Sequence, residues 1–151
     1  MRIQLTFFDA NNGLAGSSEE VIGQILPGQR AALGNSVYDV KNATEMEVAF
    51  RVDWETVDSP VGSFTFEQVS TTPAQFGGYK TQGFIVSSFA EEQENVQVVA
   101  IYKDATGKVL GGWFTFVDFV PAGGRSPFDI STFSQFDVAI ATTDTYALAG
   151  L

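Results

Sequence analysis

Apolar and polar residues alternate with a period of two along most of the chain, and helical periodicity is nearly absent. This alternation is typical of half-buried β-strands, in which successive side chains point to opposite faces. Ile3, Leu5 and Phe7 show it at the start of the chain, and the segment 9–13, Asp-Ala-Asn-Asn-Gly, follows them. Asn and Gly readily adopt the left-handed conformations of a hairpin turn. The pattern predicts an all-β protein that opens with a β-hairpin.

The same hairpin pattern occurs a second time, 95 residues later (104 − 9 = 95). Alternation in residues 96–102 leads into an Asp-Ala-Thr-Gly turn at 104–107, and we expect a returning strand over 109–116. The matching positions are Ile3, Leu5, Phe7, Asp9, Ala10, Leu14, Gly16, Gly28 and Arg30, opposite Val98, Ala100, Tyr102, Asp104, Ala105, Val109, Gly111, Gly123 and Arg125. An ungapped match over two strands and two turns indicates an internal repeat.

Each returning strand ends at a corner rich in Pro and Gly, at residues 26–30 in the first copy and 120–125 in the second. Pro fixes φ and Gly allows positive φ, so the chain can cross there from one sheet to another. We expect a further strand after each corner, around residues 45–52 in the first copy and 136–142 in the second.

The second copy has two opening strands that the first copy lacks, predicted over residues 64–69 and 79–86. Residues 54–62 between the copies are polar and interrupted by Pro and Gly, which is typical of a domain boundary. Short strands with frequent turns favour an antiparallel sandwich or barrel. We therefore expect a partial repeat in residues 1–53, a linker over 54–62, and a complete β-sandwich in residues 63–151.

The composition excludes several classes of function. A formal net charge of −10 and an isoelectric point near 4.2 disfavour a nucleic-acid or anionic-lipid partner, because both need a basic surface. The absence of Cys and His removes disulfides, thiol catalysis, His acid–base chemistry and the usual zinc and copper sites. No apolar run approaches the roughly 18 residues of a membrane-spanning helix. We expect a non-enzymatic protein with no cofactor and no membrane span.

Acidic residues at the boundary, Asp53, Glu55 and Asp58, are candidate ligands for Ca²⁺, which prefers oxygen ligands. The alternative is a solvated acidic linker, since the chain contains no calcium-loop motif.

A large aromatic residue, Trp113, alternates with Phe114 and Phe116 on the expected returning strand. If the two Phe side chains face the core, Trp113 faces solvent, where a large aromatic often marks a contact. A glycan is the candidate ligand there. The alternation favours a core role for these aromatics over a ligand contact, because a two-sheet sandwich must fill one face.

The second copy resembles the FxLYD type of immunoglobulin-like β-sandwich. The resemblance rests on a Gly-Phe-Ile-Val strand at 83–86, a V-x-V-x-A strand at 96–100 ending in Tyr102 and Asp104, and a Pro-Gly corner at 121–124. It covers residues 63–143, and residues 1–52 resemble only the later half of the family. Two departures are Ser87-Ser88, where Asn is common, and Lys103, which separates the Tyr from the Asp. The resemblance implies a non-enzymatic domain of prokaryotic surface proteins, in an extracellular or cell-surface location.

A sandwich without its opening strands would leave an apolar groove and unpaired backbone groups at a strand edge. A strand from a neighbouring copy could complete it by β-augmentation, and the apolar C-terminal segment 145–151 is the candidate donor. The candidate assembly residues are Tyr146, Leu148 and Leu151 in the donor and Ile3, Leu5 and Phe7 in the incomplete sheet. Head-to-tail donation does not close on itself, so it predicts a filament or surface layer of identical subunits.

Two other arrangements remain open from the sequence. Residues 1–52 would join residues 63–151 in one larger sandwich, or the sequence is a piece of a longer repeat protein whose opening strands lie upstream of Met1. The alternative function is a monomeric cell-surface module that binds a glycan or a protein through Trp113.

Overall fold

The computed structural model describes residues 1–25, 28–34, 40–52, 62–75 and 77–149. Within these residues the chain forms nine strands, and every strand pair is antiparallel. The strands are β1 (Arg2–Asp9), β2 (Leu14–Val21), β3 (Ala43–Arg51), β4 (Phe64–Pro73), β5 (Tyr79–Ser87), β6 (Gln93–Lys103), β7 (Val109–Val120), β8 (Arg125–Thr132) and β9 (Thr142–Leu148). The prediction of an all-β, antiparallel protein is confirmed.

The chain divides into two compact units. Unit 1 comprises Met1–Gln24 and Ser36–Asp58, and unit 2 comprises Ile25–Asn35 and Ser59–Leu151. Unit 1 contains one three-stranded sheet in the order β2-β1-β3. Unit 2 contains two three-stranded sheets, in the orders β4-β5-β8 and β7-β6-β9.

Buried side chains from both sheets of unit 2 form one hydrophobic cluster. Its members are Ile85, Val96, Val98, Ala100, Tyr102, Val117, Val120, Phe128, Ile130 and Ala147. On β6 the alternate positions 96, 98, 100 and 102 all belong to this cluster, as the period of two predicts. The sheet β4-β5-β8 thus helps to keep water from one face of the sheet β7-β6-β9.

A line of hydroxyl groups connects the two sheets of unit 2. Thr81 on β5 donates a hydrogen bond to the Tyr102 hydroxyl on β6, at 3.2 Å. The hydroxyl of Thr71 lies 2.9 Å from that of Thr81 and 2.8 Å from that of Thr143 on β9. Burial raises the pKa of the Tyr102 phenol, and the hydrogen bond with Thr81 offsets part of that rise. Because each hydroxyl has a partner, these polar groups are accommodated without an unsatisfied donor.

Both hairpins predicted from the sequence, which lie 95 residues apart, are present in the structure. By the offset of 95, β1 and β2 correspond to parts of β6 and β7. In the first turn, the Asp9 carboxylate accepts hydrogen bonds from the backbone N–H groups of Asn11 and Gly13, both at 2.8 Å. Asn12 takes the left-handed conformation, with a φ of 61°. The predicted hairpin turn is confirmed.

The second turn repeats this geometry 95 residues later. The Asp104 carboxylate accepts hydrogen bonds from the backbone N–H of Thr106 at 2.8 Å, from the Thr106 hydroxyl at 2.7 Å and from the N–H of Lys108 at 3.0 Å. Gly107 takes the left-handed position, with a φ of 83°. These hydrogen bonds, those from Thr106 first, lower the pKa of Asp104.

Of the two strands predicted to follow the Pro- and Gly-rich corners, one is observed and the other is not. The strand expected around 45–52 is observed as β3, and it pairs with β1. The strand expected around 136–142 was wrong, because the strand that pairs with β6 is β9, over 142–148. β8, which contains Pro127, was not predicted from the sequence. Pro is tolerated there because β8 is an edge strand of its sheet.

The corner at residues 120–125 changes sheets, as predicted. β7 ends at Val120 in the sheet β7-β6-β9, and β8 begins at Arg125 in the sheet β4-β5-β8. The first corner includes residues 26 and 27, which lie outside the described residues.

Replacing Val98 by Ala should lower the free energy of unfolding by about 2 kcal/mol, because the side chain is fully buried and two methyl groups are lost. Denaturant unfolding measures the change. Val138→Ala is the matched control, since Val138 is 53% exposed and should change stability by less than about 0.5 kcal/mol. Equal effects of the two substitutions would contradict the assigned core.

The lowered pKa of Asp104 predicts a specific pH dependence of stability. Because the folded-state pKa lies below the unfolded one, the contribution of Asp104 is present above its unfolded pKa. It is lost as the pH falls through its folded pKa. Asp104→Asn should therefore lose less stability on acidification than the wild type, measured by thermal unfolding from neutral to acid pH. Asp118→Asn removes one exposed carboxylate from β7 and controls for the change in net charge.

Candidate functional site

One face of the unit 1 sheet is apolar across β1 and β3. The strand register places Ile3 opposite Phe50, Leu5 opposite Val48, and Phe7 opposite Met46. Directly opposed residues of an antiparallel pair point to the same side of the sheet. The six side chains therefore share one face, which we call the apolar face.

Exposure on the apolar face increases from β1 to β3. Ile3 on the central strand β1 is 6% exposed, whereas Met46, Val48 and Phe50 on β3 are 52%, 40% and 64% exposed. Large apolar side chains that stand together in water commonly mark an interaction surface. A strand is predicted here from the sequence, but these three residues were not predicted to belong to a site. The signal was the alternation of Met46, Val48 and Phe50 with polar or small residues.

The outer edge of β3, on the side away from β1, is the second component of the site. Among the residues that the structure describes, β3 pairs only with β1. All nine residues of the strand are exposed. An edge strand directs alternate N–H and C=O groups outward, where another strand can pair with them. We call this side of Ala43–Arg51 the β3 edge.

The opposite face of the sheet carries charged residues of β1, β2 and β3, together with the apolar residues Phe8 and Val21. Glu45, Glu47 and Arg51 of β3 point to it, because they alternate with the apolar residues. Arg2 on β1 forms an ion pair with Glu19 on β2 at 2.7 Å, and both side chains are more than half exposed. Exposed pairs of this kind add little stability, so they mainly keep this face soluble.

The corresponding face of unit 2 is covered. β6 is the equivalent of β1, and its residues Val98, Ala100 and Tyr102 are 0% exposed within the shared core cluster. The sheet β4-β5-β8 contributes Ile85, Phe128 and Ile130 to that cluster. Within the described residues, unit 1 contains the sheet β2-β1-β3 and no second sheet. The apolar side of β6 is therefore buried, whereas three side chains of the apolar face of unit 1, all on β3, are 40% exposed or more.

Edge strands of unit 2 carry features that hinder pairing with another chain. In β4 the register shifts between Glu67 and Ser70, and Gln68 takes a positive φ of 52°. β8 contains Pro127, which lacks an N–H donor. The Ala147 carbonyl of β9 accepts a hydrogen bond from the side chain of Gln29. Bulges, Pro and covering contacts are the usual protections of sheet edges. β3 has neither Pro nor Gly, and its register shift lies at its start, between Ala43 and Glu45, so residues 45–51 continue without one.

The assembly residues expected from the sequence fall into two groups. Ile3, Leu5 and Phe7 lie on the apolar face, as described above. Tyr146 and Leu148 lie in β9, which pairs with β6 of the same chain, and Leu148 is 5% exposed. Donation of this strand to another copy would therefore require β9 to leave its own sheet. Leu151 lies outside the described residues.

The three acidic residues expected to bind calcium, Asp53, Glu55 and Asp58, also lie outside the described residues. Within the described part of the chain, no group of three or more acidic, His or Cys side chains is placed to hold a metal ion. No helix in that part is long and apolar enough to cross a membrane.

Trp113 packs partly against the core cluster of unit 2. It lies opposite Ala100 on β6, and so on the core-facing side of β7. Phe116 is on the other side of β7 and is 59% exposed. Its ring contacts Phe114 edge to face, with ring centroids 5.6 Å apart. Of the two orientations considered for Trp113, the structure has the core-facing one, so Phe114 and Phe116 form the outward aromatic pair.

A cleft of about 340 Å³ lies within unit 2 beside β9. Its lining includes the aromatic residues Phe64, Phe66 and Tyr146, together with Arg30 and Ser63. Aromatic surfaces with a few polar groups are the usual lining of a small-ligand site. This cleft was not foreseen, because it combines segments that are distant in the sequence.

Comparison with known proteins adds no assignment to this geometry. No protein-family model matches the chain, and no curated protein matches it.

Proposed function

We propose that the chain is a non-catalytic structural protein of the cell surface or extracellular space, and that its copies join by pairing β-strands at unit 1. The observation that carries this proposal is the apolar face with its exposed β3 edge, because the equivalent face of unit 2 is buried in a core. The joined copies would form a filament or a surface layer.

The finer fold forms part of the proposal. We take unit 2 to be an immunoglobulin-like β-sandwich of the FxLYD type, and unit 1 to be a partial repeat of it. Two three-stranded antiparallel sheets with a common buried cluster support the sandwich. The shared strand order, β2-β1-β3 in unit 1 and β7-β6-β9 in unit 2, supports the repeat.

Strand pairing is favoured over other contacts for a physical reason. The β3 edge offers backbone hydrogen bonds, and Met46, Val48 and Phe50 offer apolar area at the same place. An added strand would satisfy both at once, because main-chain pairing gives affinity and alternate side chains give specificity. A net charge of −10 keeps unassociated copies soluble and limits non-specific contact.

The β3 edge is also the more accessible of the two assembly routes. Exchange of β9 must break its pairing with β6 and expose Ala147 and Leu148, which are 4% and 5% exposed. Addition at β3 breaks no strand pair among the described residues. We therefore place the first contact between copies at β3.

Val48→Lys should abolish association of the chain, because a Lys on an edge strand places an ammonium group where another strand would pack. Light scattering over a series of concentrations measures the effect. The wild type is expected to exceed the monomer mass of 16.3 kDa, and the variant is expected to remain at it. Val138→Lys changes an exposed Val of unit 2 in the same way and serves as the control. A wild type that stays monomeric at every concentration would reject the proposal.

The alternative function is a module that binds a ligand in the cleft beside β9. The guanidinium of Arg30 and the rings of Phe64, Phe66 and Tyr146 favour a ligand with a ring and an acidic group, such as an acidic sugar. This alternative moves the ligand contact from Trp113 to the cleft.

For the alternative, Arg30→Ala should weaken retention on an immobilised polyuronic acid at least tenfold, since a charge-assisted hydrogen bond is lost. Affinity electrophoresis measures the retention. Arg125→Ala removes a positive charge from β8, where Arg125 pairs with Glu67, and controls for net charge. Equal migration of the wild type with and without the polymer would end this alternative.

A further inference from the structure

The β3 edge has a sequence that complements itself in one antiparallel register. We infer that two copies of the chain pair β3 with β3 about a two-fold axis that passes beside Val48. This inference rests on the proposed assembly at unit 1 and names its partner and register. The result would be a continuous six-stranded sheet, in the order β2-β1-β3 and then β3-β1-β2 of the second copy.

The charges of β3 favour this register. With Val48 on the axis, position i of one copy lies opposite position 96 − i of the other. Glu45 then lies opposite Arg51 of the second copy, and this pair occurs twice because of the symmetry. Glu47 lies opposite Ala49. Opposite charges that face each other across strands stabilise pairing, and this register brings no like charges directly opposite.

The apolar side chains agree with the charges. In the same register Met46 lies opposite Phe50 of the second copy, and Val48 lies opposite Val48. These are the three residues of the apolar face that are 40% exposed or more. Each would gain an apolar neighbour from the other copy. The apolar faces of the two copies would then join into one wider face with β3 at its centre.

Neighbouring registers are less favourable. An axis at Glu47 pairs Glu47 with itself, and an axis at Met46 pairs Glu45 with Glu47 twice. Like charges directly opposite destabilise an antiparallel pair. An axis at Ala49 avoids this, but it keeps only residues 47–51 of each strand within the pairing, whereas an axis at Val48 keeps residues 45–51.

A two-fold contact of this kind uses the same surface on both copies and therefore closes as a dimer. A filament or layer built from such dimers needs a second contact elsewhere on the chain. The dimer is thus the unit of assembly, and strand addition at β3 is its first step.

Single cysteines test the register directly, because the natural chain contains no Cys. Val48→Cys should form a disulfide-linked dimer under mild oxidation, since residues opposed on the axis have Cα atoms about 4.5–5.5 Å apart, within disulfide range. Glu47→Cys and Ala49→Cys should not link, because the Cα atom of each would lie about 8 Å from that of the same residue in the second chain. Val138→Cys, exposed in unit 2, measures linking by random collision. Non-reducing electrophoresis of the full chain gives the yields.

A charge exchange gives a second, independent readout. Glu45→Arg should raise the dimer dissociation constant about tenfold, because two favourable pairs become repulsive. Adding Arg51→Glu in the same chain restores opposite charges and should return the constant to that of the wild type. This rescue is not expected if either substitution acts only by disturbing the fold of unit 1.

The outcomes separate this inference from the proposed function. Preferred linking of Glu47→Cys or Ala49→Cys would overturn the register and keep the pairing of β3 with itself. Association by light scattering without linking at any β3 cysteine would overturn β3 pairing and leave assembly by another surface. A monomeric wild type would overturn both.

Discussion

Contact between two sheets organises unit 2. Alternate residues of β6 are apolar, and they can leave water only if another layer covers them. The sheet β4-β5-β8 supplies Ile85, Phe128 and Ile130 to that cover. The hydroxyl groups of Thr71, Thr81 and Tyr102 add hydrogen bonds to the contact between the two sheets. This arrangement satisfies both the apolar side chains and the polar groups that accompany them.

Unit 1 has the same strand order as one of these sheets, and it faces the same physical requirement. Ile3 is buried, but exposure rises across the sheet to Phe50 at the β3 edge. The free edge and the open part of the apolar face therefore coincide in one strand. An edge strand that has both unpaired backbone groups and exposed apolar side chains is a candidate interaction surface, whereas an edge without exposed apolar side chains is not.

Three edge strands of unit 2 carry features that hinder pairing with another chain. β4 is distorted at Gln68, β8 carries Pro127, and the side chain of Gln29 bonds to a carbonyl of β9. On β3 the apolar residues alternate with Glu45, Glu47, Ala49 and Arg51, so the charge changes from negative to positive along the strand. The free backbone groups and apolar side chains of β3 thus favour pairing with another strand, and its charged residues favour one register of that pairing.

The sequence alone determined the strand period and the two Asp-centred turns. These features are local, because side-chain alternation and turn hydrogen bonds depend on residues a few positions apart. Asp9 and Asp104 show it, since each bonds backbone groups two and four residues later. Only the tertiary structure decided that β9 rather than residues 136–142 pairs with β6, that Trp113 faces the core, and that the apolar side of β3 is open. Each of these depends on which distant strand covers which face, and alternation within one strand is the same whether its apolar side is covered or exposed.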